Sequence, residues 1–307
     1  MKITLRQLEY VVAASQVGSI AGAADKMGIS TSSILAAIEG FEQEFAMQVF
    51  VRQRSKGLVT TEMGAHAIAR TIRLLDEARI FTEDLRGSDT TLSGDLRVGA
   101  FTSISPNIAP SVIRDLSIRH PDLIVHLTEG DILSIQRSLR NGVVDILLTY
   151  DAGLSDNFDR ETLVQAPPHV VLSEGHPMAD RLRLCLPDLS GHPLLLLNLP
   201  HSSRYVMSLF DREGVQPGRI QRLESFEMVR SAAAAGLGAA ILNVRPPDNN
   251  TYSGMRVVCR PLDCASRSPA IVLVTRRGGR ISQRAEAFAA GCRRFFKTPA
   301  AEALFLT

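Results

Sequence analysis

LRQLEYVVAASQVGSIAGAADKMGISTSSILAAIEGFEQEFAMQVFVRQR, residues 5–54, decides the fold of the N-terminal part of this chain. It reads as two short amphipathic helices separated by Gly28. Ser19 follows Gly18 and can N-cap the first, whose inward face is small: Ala21, Ala23 and Ala24. Small residues there let a second helix cross at close range. Gly28 supplies a permissive backbone for the turn, and Ile29 packs beneath it. Ser30 can then cap a second helix with Ile34, Ala37, Ile38 and Phe41 on one face. An αα-hairpin with a Gly turn also occurs in bundles that never touch nucleic acid. Tight alanine packing, the Gly turn and the polar start of the second helix together favour a DNA-binding helix-turn-helix.

In that motif the first residues of the second helix meet base edges in the major groove while neighbouring elements grip phosphate. Here they are Ser30, Thr31, Ser32 and Ser33. Hydroxyls donate and accept, but they lack the bidentate grip of Arg on guanine or Gln on adenine, so discrimination per contact is modest. After Phe50 comes RQRSKG, in which Arg52, Arg54 and Lys56 precede Gly57 and a short strand, Leu58 to Thr60. This has the form of a β-wing tip with phosphate contacts, the alternative being a solvated basic loop.

These features, in this order, resemble the winged-helix domain of LysR-type transcriptional regulators. The matching motifs are the opening LRQL, GSIAGAADKMGIS, VFVR and TTEMG. The resemblance implies DNA contacts at Ser30, Arg52 and Thr61. It also implies a homo-oligomer, expected to be a tetramer built as a dimer of dimers, and a periplasmic-binding-protein-like effector domain. The chain departs from the family pattern where Q-P-A-(V/L)-S-R is usual and residues 31–36 read TSSILA. Thr31, Ser32, Leu35 and Ala36 then stand at the glutamine, proline, serine and arginine positions. One base reader and one phosphate ligand are lost, and the expectation is an atypical operator or weaker single-site affinity, offset by avidity. Ala46 and Met63 replace a family glycine and alanine, which reads as a change of packing.

Composition is compatible with this and adds little. The chain has 307 residues, 45% hydrophobic, with a net charge of +2, so any DNA affinity must come from local clustering. No signal-peptide pattern opens it and no apolar run reaches membrane-spanning length, from which a cytoplasmic location and no membrane partner are expected. Cys185, Cys259, Cys264 and Cys292 show no C-x-x-C spacing and no His cluster, so neither a metal site nor a cofactor is expected. Cys259 and Cys264 leave a thiol-redox-responsive regulator of the same fold as the alternative.

From Glu62 to about Arg86 one helix is expected, with Ala65, Ile68, Ala69, Ile72, Leu75 and Ala78 as its apolar stripe. Antiparallel pairing with a second copy would bury that stripe; packing on its own domain is the alternative. Residues 88–94 read as a hinge. Beyond them strands and helices alternate, which implies parallel sheets with helices on their faces. The expected architecture is α/β overall. An all-α winged helix-turn-helix (1–60) leads into a linker helix (61–87), a hinge (88–94) and a two-subdomain effector domain (95–307). Subdomain I takes about 95–165 and 265–307, subdomain II about 166–264.

Ligands of open α/β sheets bind beyond the carboxyl ends of the strands, against helix N-termini suited to carboxylates. By that rule Thr102, Ser103 and Ser105 are candidates after the first strand. His201, Ser202, Ser203, Ser225 and Glu227 are candidates at later helix starts. Thr128 and Thr149 end two strands, at positions that the resemblance places in the cleft. The expected effector is a small polar metabolite carrying a carboxylate. An enzyme is disfavoured: His201 and Ser202 are adjacent rather than set in a nucleophile elbow, and no Asp can be assigned to them. GLGAA at 236–240 closes a helix before a strand, the reverse of a dinucleotide fingerprint.

Overall fold

The computed structural model describes residues 2–53, 57–86, 92–264 and 266–306. Three helices open the chain: α1 (Leu5–Val17), α2 (Ile20–Met27) and α3 (Thr31–Phe45). A hydroxyl fixes each start. Thr4 and Gln7 form a reciprocal capping box, Ser19 accepts from the Gly22 N–H, and Ser30 accepts from the Ser33 N–H. Gly18 and Gly28 close α1 and α2 in the left-handed region, at φ 72° and 65°. Ala46 closes α3 in that same region at φ 47°. Its replacement of a glycine is therefore a matter of backbone rather than packing, and its Cβ costs about 1–2 kcal/mol there. Ala23 and Ala24 are buried while Ala21 is exposed, so the close-packed face of α2 is narrower than expected.

The wing is an antiparallel ribbon, β1 (Phe50–Gln53) with β2 (Gly57–Thr60). Glu42 Oε1 accepts from the N–H groups of Val49 and Phe50 at 2.6 and 3.1 Å, tying the ribbon to α3. The Leu58 N–H donates to the Gly18 carbonyl at 2.8 Å and anchors the return strand to the first turn. Then α4 (Glu62–Arg86) runs without a break. Ile68 and Ile72 are buried in the core of the first three helices, with Leu75 against them, whereas Ala65, Met63, Leu74 and Phe81 are exposed. The stripe expected to meet a second copy is thus largely spent on its own domain. A different seam, Met63 and Leu74 beside Phe45, lines an open apolar groove. A helix of this length can carry two apolar seams at different angles around its axis.

Two sheets follow. The first is formed by β3 (Gly94–Phe101), β4 (Leu123–Gly130), β5 (Ile146–Tyr150) and β6 (Phe158–Gln165), joined late in the chain by β13 (Ala270–Arg276). Its order is β4-β3-β5-β13-β6. The helices α5 (Ser105–Arg119) and α6 (Ile132–Arg140) belong to it. The second sheet takes β7 (His169–Ser173), β8 (Leu184–Cys185), β9 (Leu194–Leu197), β10 (Ile220–Leu223), β11 (Ala239–Leu242) and β12 (Val257–Asp263), with α7 (Ser202–Glu213) and α8 (Phe226–Ala234). Its order is β10-β9-β11-β7-β12-β8. The chain returns through β13 (Ala270–Arg276) and ends with α9 (Gln283–Phe295) and α10 (Pro299–Glu302).

Parallel pairing, expected throughout, is confined to β4-β3-β5, β10-β9-β11 and the short β8–β12 pair. The strands at the crossings run antiparallel to their neighbours. β6 leaves the first sheet for the second and β13 comes back, so the two must point in opposite directions, as must β7 and β12. The first sheet has one buried cluster and the second has one on each face, and a separate one fills the helix-turn-helix. Residues 88–91 of the expected hinge lie outside the described residues, as do Arg54 and Lys56.

The linker helix is held by the first sheet. Ile72 packs against Gly142, and Gln16 Nε2 donates to the Asn141 carbonyl at 3.1 Å. Asp76 pairs with Arg276, whose other nitrogen reaches the Leu139 and Val144 carbonyls at 3.0 and 3.3 Å. Arg79 lies 3.5 Å from Asp145.

In the second sheet His169 is fully buried and neither ring nitrogen has a partner. Burial, helped by Arg245 and Arg230, holds its pKa down at about 3. The ring is neutral in the folded protein, while the unfolded chain binds a proton below about pH 6.5. Stability is therefore fully present above that pH and is lost as the pH falls toward 3. His169→Leu is expected to remove this acid slope, worth on the order of 3 kcal/mol at about pH 4. Urea midpoints measured from neutral to acid pH test it; an undiminished slope in the variant rules out the buried imidazole as its source.

Candidate nucleic-acid interface and effector cleft

At the head of α3 Thr31 and Ser32 are exposed. The Ser30 hydroxyl lies 2.8 Å from that of Ser32 and 2.9 Å from that of Ser33, while also capping the helix. The cluster thus presents rotatable donors and acceptors beside the positive end of a helix, suited to phosphate or a single base-edge atom. Thr61 is differently placed. Its hydroxyl donates to the Gln48 carbonyl at 2.7 Å and accepts from the Gly64 N–H at 2.9 Å, so its proton is committed to joining α4 to the wing. The Arg52 side chain lies outside the described residues; its backbone pairs with Leu58 across the ribbon.

Between the two sheets lies a cavity of about 50 Å³. Four of the expected residues line it: Ser103 ahead of α5, Thr149 on β5, and His201 and Ser202 at the start of α7. Six do not. The Thr102 N–H is bonded to the Gly130 carbonyl, and Ser105, the first residue of α5, is buried. Thr128 is exposed on the edge strand β4, and the Ser203 hydroxyl turns to the Leu199 carbonyl. Ser225 caps α8. Glu227 is engaged by Arg230, Ser231 and the Tyr252 N–H.

The rest of the wall is not among the residues expected from the sequence: Phe101, Tyr150, Tyr205, Phe226 and Asn243, with aliphatic residues between them. Two of these carry a usable signal. Tyr205 stands one helical turn after His201, and Asn243 directly follows β11, where the carboxyl-end rule applies. Burial, above all, raises both tyrosines, Tyr205 to about 12, so both hydroxyls stay protonated. Tyr150 is bonded to Ser103, and the Tyr205 hydroxyl accepts from Asn243 Nδ2 at 3.4 Å. Thr149 Oγ1 is fully buried with no partner.

His201 bridges the cleft beside the cavity. It sits at φ 68°, a conformation costing a non-glycine residue about 1–2 kcal/mol. Its ring lies so close over Gly153, on the opposite subdomain, that a Cβ there would be 2.4 Å from Nδ1. Gln136 pins that loop by donating to the Gly153 carbonyl at 2.9 Å and accepting from the Ser155 N–H at 3.0 Å. Burial, then Arg204 at 3.3 Å, pushes the His201 pKa down, and the ring is neutral near pH 7.

No cysteine lines the cavity. All four thiols are shifted up. Burial does this for Cys259, Cys264 and Cys292, and the hydrogen bond to Asp188 does it for Cys185. Among the described residues no cluster of His, Cys, Asp and Glu could hold a metal ion, and no helix is long and apolar enough to cross a membrane.

The LysR substrate-binding-domain model matches residues 89–297, and the model of the bacterial regulatory helix-turn-helix protein of the lysR family matches residues 5–65. The chain belongs to the LysR family of transcriptional regulators. It is 29% identical to the HTH-type transcriptional regulator TtuA of Agrobacterium vitis over 78% of this chain and 79% of that protein. It is 27% identical to the hydrogen peroxide-inducible genes activator of Dickeya chrysanthemi over 94% of each. Among solved structures it superposes on HinK, a LysR family transcriptional regulator from Pseudomonas aeruginosa, with a TM-score of 0.64 and 28% identity, covering 96% of this chain and 99% of that one.

Proposed function

We propose that this protein is a cytoplasmic, non-enzymatic regulator that binds an interrupted operator as a homo-oligomer, through paired winged helices, and responds to a small molecule in the cleft. The observation that carries the response is the cavity walled by both subdomains and bordered by Thr149, whose hydroxyl is buried and unpaired. A buried orphan hydroxyl costs stability and is retained most simply where a ligand satisfies it. The coupling route runs through subdomain I, which grips α4 at Asp76–Arg276 and at Ile72. A ligand that favours one relative placement of the subdomains would shift the spacing of the DNA-binding domains by its difference in affinity between the two forms. Peroxide sensing, suggested by the name of one relative, is disfavoured in this chain, whose thiols are all shifted away from the reactive thiolate.

A footprinting titration on the DNA upstream of its own gene, at two salt concentrations with random competitor, tests the DNA half. A long protected region with salt-dependent affinity supports it; protection no greater than on random DNA defeats it. Arg52→Ala is expected to weaken binding to all sequences and lower the salt slope by about one. Thr31→Ala is expected to shift sequence preference instead. A salt slope untouched by Arg52→Ala removes the wing from the phosphate contacts. If no ligand alters DNA bend or footprint length, the switching half fails.

A further inference from the structure

The chemistry of the cavity wall narrows what it can accept, given that the cleft is the ligand site. We propose that it takes an uncharged molecule with an apolar body and one hydrogen-bonding group, received by the Thr149 hydroxyl. Among the described residues no Asp, Glu, Lys or Arg lines the cavity. An ion taken from water into such a wall has no counter-charge, and its desolvation goes uncompensated.

Helix N-termini at α5 and α7 supply only partial positive charge. Of the wall hydroxyls, Ser103 is bonded to Tyr150 and the Tyr205 oxygen accepts from Asn243, and none of these groups carries a charge. His201 adds no charge, since its ring is neutral, and Arg204 is exposed beyond it. Among the buried polar atoms of the wall Thr149 Oγ1 has no hydrogen-bond partner, and it can serve a hydroxyl, carbonyl or amide group. The lining therefore favours an uncharged ligand over the carboxylate that the helix starts suggest.

Size adds a second condition. The 50 Å³ within reach of a water-sized molecule is a third of the roughly 150 Å³ that houses benzene in an engineered protein cavity. A ring-sized ligand therefore needs the walls to move apart, and the His201–Gly153 contact spans them, so occupancy and opening are linked.

Three probes of one shape separate the charge classes: benzamide, benzoate and benzamidine, titrated into the full-length protein by calorimetry or ligand-observed NMR at millimolar concentration. Benzamide is expected to bind at least about tenfold more tightly than either ion. Thr149→Val, which keeps the side-chain shape and removes the hydroxyl, is expected to weaken benzamide about fivefold. The same variant without ligand is expected to melt about 2–4 °C higher, because the orphan hydroxyl is gone, so weaker binding cannot be blamed on misfolding. Benzoate or benzamidine binding as tightly as benzamide overturns the proposal, as does absence of binding by all three or an unchanged benzamide affinity in Thr149→Val. Tighter benzoate would leave the ligand-responsive reading standing. That reading falls on its own evidence, the unchanged footprint.

Discussion

Gly153→Ala is expected to lose about 2–3 kcal/mol of folding stability together with any response to a cleft ligand. Gly153 sits at φ 75°, where an alanine costs about 1–2 kcal/mol whatever surrounds it. The new Cβ would also lie 2.4 to 2.6 Å from three atoms of the His201 ring, which must swing away. His201 caps α7 in its own strained conformation, so its displacement unseats the side of the cavity that Ser202 and Tyr205 build. A double-mutant cycle with His201→Ala separates the two costs: removing the ring should restore about 1 kcal/mol, leaving the backbone part. Urea unfolding of the four proteins gives the coupling. Strict additivity of the two changes would mean that the ring and the glycine are not in contact, and the cross-cleft contact would be abandoned.

Gly64→Ala is expected to cost about 3 kcal/mol and most of the operator affinity. Its Cβ would lie 2.2 Å from the Val49 carbonyl oxygen and 2.9 Å from Thr61 Oγ1, both fixed in place. The Val49 carbonyl accepts from the Thr61 N–H at 2.9 Å, and the Thr61 hydroxyl is bonded on both sides. Neither can yield without breaking the joint between wing and linker helix. Gly40→Ala is the control, since nothing stands within 4 Å of a Cβ there. A helix-interior glycine replaced in open space should gain up to about 1 kcal/mol. Melting temperature and gel-shift affinity decide it: a Gly64→Ala protein as stable and as tight-binding as its parent defeats the account.

The amino-acid sequence is legible where cause and effect lie close along the chain. Ser19, Gly28 and Ser30 act on backbone groups two or three residues away, and the spacing of Ile34, Ala37, Ile38 and Phe41 is a property of one helix. Edge strands are harder to see. β6, FDRETLVQ, and β10, IQRL, lie at the ends of their sheets with exposed polar residues, so neither shows the apolar run that betrays β5 or β9. The apolar stripe of α4 is visible, but not its partner: periodicity says that a face must be buried, not against what.

Local chemistry in the sequence thus settles the helix-turn-helix, its caps and the length of the linker helix, while the two-subdomain class rests on the resemblance to the family. The cavity is another matter. Thr149, His201 and Asn243 are brought together by two sheets and two crossings, and their meeting depends on how β5, α7 and β11 are placed. Which hydroxyl keeps a partner and which is left alone, whether a wall carries charge, and whether a histidine ring can rest on a glycine backbone are facts of distance between residues far apart in the chain. They exist only once the two subdomains have closed on one another.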